Sequence, residues 1–155
     1  MERDGIRWQL FRFKDMDAQL LHDLMRLRVD VFVVEQQCPY PELDGLDPAA
    51  LHVVGMDPQG IPVACCRILL PHPDGLPHIG RVAVAKHRRG EGLGRQVMET
   101  AHAAVRERFG PVATALAAQA YLRRFYQDLG YAASGDEYPL DGIPHVDMIR
   151  PAAAI

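Results

Sequence analysis

The chain reads as an α/β domain built on a mixed sheet, and three observations predict it. Apolar residues alternate in short runs, recur every three or four residues in longer ones, and one long helical run lies between two strand-like runs. That last arrangement calls for a parallel crossover, which is right-handed in nearly all known folds. The 155 residues, 48% of them hydrophobic, suffice for a single domain with one core, expected over residues 8–150.

Ile6 to Phe13 alternates around Trp8 and Leu10 as a first strand. Leu20, Leu24, Leu27, Val31 and Val34 then share a helical face, with Asp17 placed to cap the helix and Cys38-Pro39-Tyr40-Pro41 to stop it. Residues 42–50 carry Glu42, Asp44 and Asp47 beside a Gly and a Pro, and read as a solvated acidic rim able to steer a cation. Leu51 to Met56 and Ile61 to Leu70 form a hairpin about Asp57-Pro58-Gln59-Gly60, where Pro presets one dihedral and Gly supplies a permissive one. A second turn, Pro71 to Pro77, leads into the strand Ile79 to Ala85, with Val82 and Val84 on one face and Arg81 and Ala83 on the other.

Leu93, Val97, Met98, Ala101, Ala104, Val105 and Phe109 line one side of a four-turn helix that Gly110-Pro111 ends. Val112 to Ala118 is a small-residue strand, and Leu122 to Leu129 a short helix closed by Gly130. Glu137 to Ile149 returns as a last strand, interrupted at Asp141-Gly142-Ile143-Pro144.

Seventeen Lys and Arg against 20 Asp and Glu give a net charge of -3, which lacks the basic footprint of a nucleic-acid binder. The short cationic cluster Lys86 to Arg95 has no interleaved aromatic residues on which bases could stack. No run approaches the roughly 20 apolar residues of a membrane span. The charged start, Met1-Glu2-Arg3-Asp4, is unlike a secretory signal, so a cytoplasmic location is expected. Cys38, Cys65 and Cys66 and the seven histidines follow no metal-ligand spacing, and no metal is expected.

The segment Arg88-Arg89-Gly90-Glu91-Gly92-Leu93-Gly94-Arg95 lies between a strand and a helix, where unpaired amides and the helix dipole favour an anion. Glycines let a phosphate approach the backbone. A nucleoside-triphosphate loop would need Gly-Lys-Ser/Thr, but Gly94 is followed by Arg95-Gln96, and the spacing of Gly90, Gly92 and Gly94 is not that of a dinucleotide fingerprint.

Arg89-x-x-Gly92-x-Gly94 after a Val-rich strand resembles the acetyl coenzyme A signature of the GNAT N-acetyltransferase superfamily. Arg26-Leu27-Arg28, Val31-Phe32-Val33-Val34-Glu35-Gln36, Cys38-Pro39-Tyr40 and Asp44-Gly45 look like its ElaA-type branch, as do Ala118-Gln119-Ala120, Phe125-Tyr126, Gly130-Tyr131 and Gly142-Ile143-Pro144-His145 with Met148. The match runs from Trp8 to Arg150. It implies a mostly antiparallel central sheet flanked by helices, with the parallel crossover at the cofactor cleft. It implies that the amides of Arg89, Gly90, Glu91, Gly92, Leu93, Gly94 and Arg95 hold the pyrophosphate of acetyl-CoA, the cosubstrate, and that the backbone of Val82, Ala83 and Val84 pairs with the pantetheine arm. Tyr126 would sit near the thioester sulfur, and the acceptor would be an amine of a small molecule or peptide.

Amine acetylation needs a neutral amine, a polarised carbonyl and a proton for the departing thiolate. A tyrosine, protonated at neutral pH, can supply that proton, which makes Tyr126 the expected general acid. Glu35, at the end of the first helix, is the expected base; a solvated helix-end carboxylate, His78, His145 and water are the alternatives. Gln119 can donate and accept, and so could orient the thioester or the pantetheine amides. Arg26 and Arg28 read as helix arginines paired with carboxylates such as Asp30 or Glu35. No cysteine lies near a His and Asp partner set, so direct transfer is expected. A non-catalytic acyl-CoA-binding module is the competing reading, and edge pairing or C-terminal strand exchange leaves room for a homodimer.

Overall fold

The computed structural model describes residues 1–70 and 73–152, so Pro71 and His72 of the expected Pro71–Pro77 turn and the Ala-rich end beyond residue 152 lie outside the described residues. The strands are β1 (Glu2–Arg3), β2 (Ile6–Arg12), β3 (Leu51–Met56), β4 (Pro62–Leu69), β5 (His78–Val84), β6 (Thr114–Gln119), β7 (Ala132–Ala133), β8 (Tyr138–Leu140) and β9 (Ile143–Arg150). The helices are α1 (Ala18–Val29), α2 (Leu93–Phe109) and α3 (Arg123–Gln127). One sheet runs β1-β2-β3-β4-β5-β6-β9-β7, and β8 also pairs with β9. Every pairing is antiparallel except that of β5 with β6, where α2 makes the crossover.

The last expected strand is a hairpin. Asp141 and Gly142 form its turn at φ 51° and 76°, and Ile143 and Pro144 belong to β9. The two-residue strands β1 and β7 are too short for any periodicity to announce.

β3 and β4 are buried along almost their whole length, as strands covered on both faces must be. On one face Gly55 of β3 lies opposite Trp8 of β2, and the Trp8 indole donates to Gln96 of α2 at 3.0 Å. A Cβ at position 55 would stand 2.6 Å from the Trp8 ring, so only glycine fits there. His52 and Arg67 pair across β3 and β4 on the other face, toward α1. The two helices therefore sandwich the sheet.

α1 begins where Asp17 predicts, its Oδ1 accepting from the Leu20 amide at 2.8 Å. Its end departs from expectation, because residues Asp30–Glu35 wind as a π-helix with an extra residue in the turn. Val34 leaves the apolar face and is 63% exposed, while Phe32, Glu35 and Gln36 turn toward a cleft.

Two of the three carboxylates of the expected solvated rim are instead interior, while Asp44 stays partly exposed. Glu42 and Asp47 are each 4% exposed, because Arg28 reaches both from α1, at 2.6 Å to Glu42 and 2.7 Å to Asp47. Arg67 of β4 binds Asp44 at 2.6 Å and Asp47 at 3.1 Å. Arg81 of β5 binds Glu42 at 3.0 Å and Asp44 at 3.2 Å, and the Tyr40 hydroxyl donates to Glu42. Three guanidinium groups meet three carboxylates, which gives the charges taken from water opposite partners, although Arg67 Nε is buried without a hydrogen-bond acceptor. Arg28 thus pairs away from Asp30 and Glu35, whereas Arg26 meets Asp30 at 3.9 Å.

Arg81 also carries an irregularity. Between Cys65 and Arg67 the β4 strand advances two residues while β5 advances three, from Ala83 back to Gly80, and Arg81 takes φ 52° in that bulge.

Arg28→Ala would take from two buried carboxylates the one partner that binds both and should cost about 3–5 kcal/mol in chemical denaturation. Acid should act on the same network. The hydrogen bonds from Arg67 hold the Asp44 carboxyl below its ordinary range, so its contribution is full above about pH 4, the unfolded value, and fades as pH falls toward the native one. The stability gap between wild type and Asp44→Asn should accordingly narrow as unfolding is measured from pH 5 down to about pH 2.

Candidate functional site

β5 and β6 share a single register pair, His78 with Ala115, and then part. From Gly80 onward β5 keeps β4 on one side but has no strand on the other. The gap opens into a cavity of about 730 Å³ lined by Val82, Ala83 and Val84 on β5, by the turn from Arg89 to Arg95, and by Gln119, Tyr126 and His145.

The turn has the geometry of an anion cradle. Gly90 and Gly92 stand at φ 85° and 79°, which an L side chain adopts only with strain. Gly92 starts α2 with no side-chain cap, so the first-turn amides of Leu93, Gly94 and Arg95 keep their free hydrogens. Gly94 serves packing as well, since a Cβ there would meet the Phe125 ring at 3.4 Å, and so it also sets α2 against α3. Arg88 is paired with Glu91 at 2.9 Å, and Arg95 is half exposed, 3.9 Å from Glu99.

Arg89 points back across the cleft. Its guanidinium donates to the Val84 carbonyl from Nε at 3.2 Å and grips Glu35 with both terminal nitrogens, Nη2 at 2.8 Å from Oε1. Those hydrogen bonds hold the Glu35 carboxyl below its usual range. The residue expected as base is therefore committed to the residue that opens the glycine turn.

Tyr126 is 6% exposed, and burial raises its phenol well above the ordinary value. Its hydroxyl has no hydrogen-bond partner among the described residues, and the residue lines the cavity. Its ring is set edge-on by Tyr131 at 6.0 Å, whose own hydroxyl is fixed by His102 at 2.8 Å and Thr114 at 2.9 Å. Gln119 exchanges amide hydrogen bonds with Gln36 at 3.1 and 3.2 Å, which ties the end of β6 to the π turn.

His145 donates from one ring nitrogen to a backbone carbonyl and stacks on Tyr138. His78 is paired with Asp74 at 2.7 Å at the closed end of the strand and does not line the cavity. Cys38 lines it and donates to the Asp141 carbonyl at 3.5 Å. Cys65 and Cys66 are sealed in the core, where burial pushes the Cys65 thiol up to about 12. Among the described residues no group of three or more His, Cys, Asp or Glu could hold a metal ion, and no helix is long and apolar enough to cross a membrane.

Sequence reasoning passed over Gln36, Arg81 and Tyr131 as site residues. Gln36 adjoins Glu35 on the helix and could have been found from it; Arg81 and Tyr131 act through partners distant in the chain.

A family model described as "Acetyltransferase (GNAT) domain" matches residues 23–150. The UPF0039 protein Rv2851c of Mycobacterium tuberculosis is 42% identical over 90% of each chain. Protein ElaA of Escherichia coli is 38% identical over 94% of this chain and 96% of its own. The crystal structure of E. coli ElaA superposes with a TM-score of 0.86 at 36% identity, covering 94% and 99% of the two chains. That of an acyl-CoA N-acyltransferase from Pseudomonas aeruginosa gives 0.89 at 38% identity, with the same coverage.

Gly92→Ala tests the cradle, because the added methyl meets nothing within 4 Å and the change acts through backbone strain alone. It should weaken coenzyme A binding in calorimetry by about tenfold, the equivalent of roughly 1–2 kcal/mol of left-handed strain relieved by losing the turn.

Proposed function

The chain belongs to the GNAT acetyltransferase family, and on that premise we propose that it moves an acetyl group from acetyl coenzyme A to a primary amine of a small molecule or peptide. Transfer is by direct attack in a ternary complex. The supporting observation is the free edge of β5: an extended donor laid along Val82, Ala83 and Val84 runs from the Gly90–Arg95 amides at one end, the Arg89 amide being bound to the Lys86 carbonyl, to Tyr126 at the other. The pyrophosphate meets the amides of Gly90 to Arg95, and the pantetheine takes the place of a strand.

Direct attack suits the cysteines, since the one that lines the cavity has a backbone carbonyl as its partner and the other two are buried. Tyr126 gives the departing sulfur its hydrogen. Burial makes a free tyrosinate costly, so that proton must be replaced as it leaves, and the nitrogen of the new amide carries the one to spare. Glu35 holds Arg89 at the mouth, and Gln119, steadied by Gln36, offers its remaining amide hydrogen to the donor arm.

Incubation with acetyl coenzyme A and a panel of amines, polyamines and peptide N-termini should release free thiol and yield the N-acetylated product by mass spectrometry. Binding of coenzyme A without thiol release for any acceptor would favour a non-catalytic acyl-CoA-binding module. Tyr126→Phe keeps the ring and removes the proton, so kcat should fall by about 100-fold while calorimetric affinity for coenzyme A stays put.

A further inference from the structure

We propose that His145 is the general base that takes the proton of the incoming ammonium group. The proposal rests on the transferase reading above and assigns the role that the Glu35–Arg89 pair leaves open. His145 Nδ1 lies 2.7 Å from the Ile143 carbonyl oxygen. A carbonyl can only accept, so Nδ1 carries the hydrogen and the lone pair of the neutral ring sits on Nε2. Nε2 has no hydrogen-bond partner among the described residues, and the ring, stacked on Tyr138 at 6.2 Å, lines the cavity that holds Tyr126. The backbone thus fixes both the tautomer and the ring.

Groups that share the cavity or hairpin with His145 are already engaged, lack a suitable lone pair, or stand in solvent at its rim. Glu35 is gripped by Arg89, Arg81 binds Glu42 and Asp44, and the Tyr138 hydroxyl donates to Asp147 at 2.5 Å. Asp141 also lines the cavity but is exposed at the hairpin turn, where water solvates its carboxylate. Cys38, Tyr40, Tyr121 and Arg95 complete the titratable lining with Tyr126, and at neutral pH they are hydrogen donors. The neutral imidazole instead presents one open lone pair, at Nε2, that can accept a proton.

The step balances. The ammonium gives one proton to Nε2, which passes it to solvent, and the freed nitrogen pair forms the bond to the thioester carbonyl carbon. As the C–S bond breaks, Tyr126 protonates the sulfur and recovers its proton through water from the still-protonated nitrogen. One ammonium and one thioester become an amide, a thiol and one released proton.

His145→Asn retains a donor for the Ile143 carbonyl and removes the base. It should lower kcat/KM for the amine by about 100-fold and abolish the acid limb of its pH profile, while calorimetric affinity for coenzyme A is unchanged. His145→Gln, read in parallel, guards against local misfolding. In ¹⁵N NMR of the wild type the Nδ1–H tautomer is expected at the neutral ring. An active wild type whose His145→Asn and His145→Gln variants keep the acid limb, or an Nε2–H tautomer, overturns the assignment alone. A wild type that binds coenzyme A yet acetylates no amine overturns the transferase reading and this assignment with it.

Discussion

The buried ionic network is the constraint on which the architecture turns. Arg28 on α1, Arg67 on β4 and Arg81 on β5 converge on Glu42, Asp44 and Asp47, so one loop fastens a helix and two strands. Its buried members, Arg28, Arg67, Glu42 and Asp47, cannot be dropped cheaply, because the charges left behind would sit in a low-dielectric interior. The network also holds Arg81 in its left-handed bulge, the point at which β5 leaves the path of β6. A cleft that depends on an unfavourable backbone conformation needs such a fastening.

From that fastening the cleft's chemistry is segregated by depth. Cationic and amide groups occupy the mouth, around Arg89 and the start of α2. Aromatic rings occupy the floor, where Tyr126 is steadied by Tyr131 and Phe125. The π turn joins the two levels: it swings Glu35 toward Arg89 and Gln36 toward Gln119, contacts that an uninterrupted α-helix would have aimed elsewhere.

Local physics was the legible part. The spacing of Leu93 through Phe109 fixed α2 to the residue, and the run Leu51 to Met56 marked β3, because both obey the period of one element. The glycine turn was legible for the same reason, since left-handed residues and a helix start are local features. Glu42 and Asp47 were misread because their partners Arg67 and Arg81 lie 20 and 39 residues away, and an unpaired acidic loop looks the same in sequence as a buried paired one. Val34 went astray when one extra residue in a turn rotated it off the apolar face. The pairing of Glu35 with Arg89 spans 54 residues and had no sequence signal at all.

The single rung between His78 and Ala115 has a mechanical meaning. It divides one sheet into two plates, β1 to β5 and β6 with its hairpin, which are joined besides by the α2 crossover, the seat of Phe125 against Gly94 and the Gln36–Gln119 pair. An extended molecule laid along the bare edge of β5 supplies missing rungs from outside the chain. Its arrival would rivet the plates together, making the occupied protein a stiffer object than the empty one.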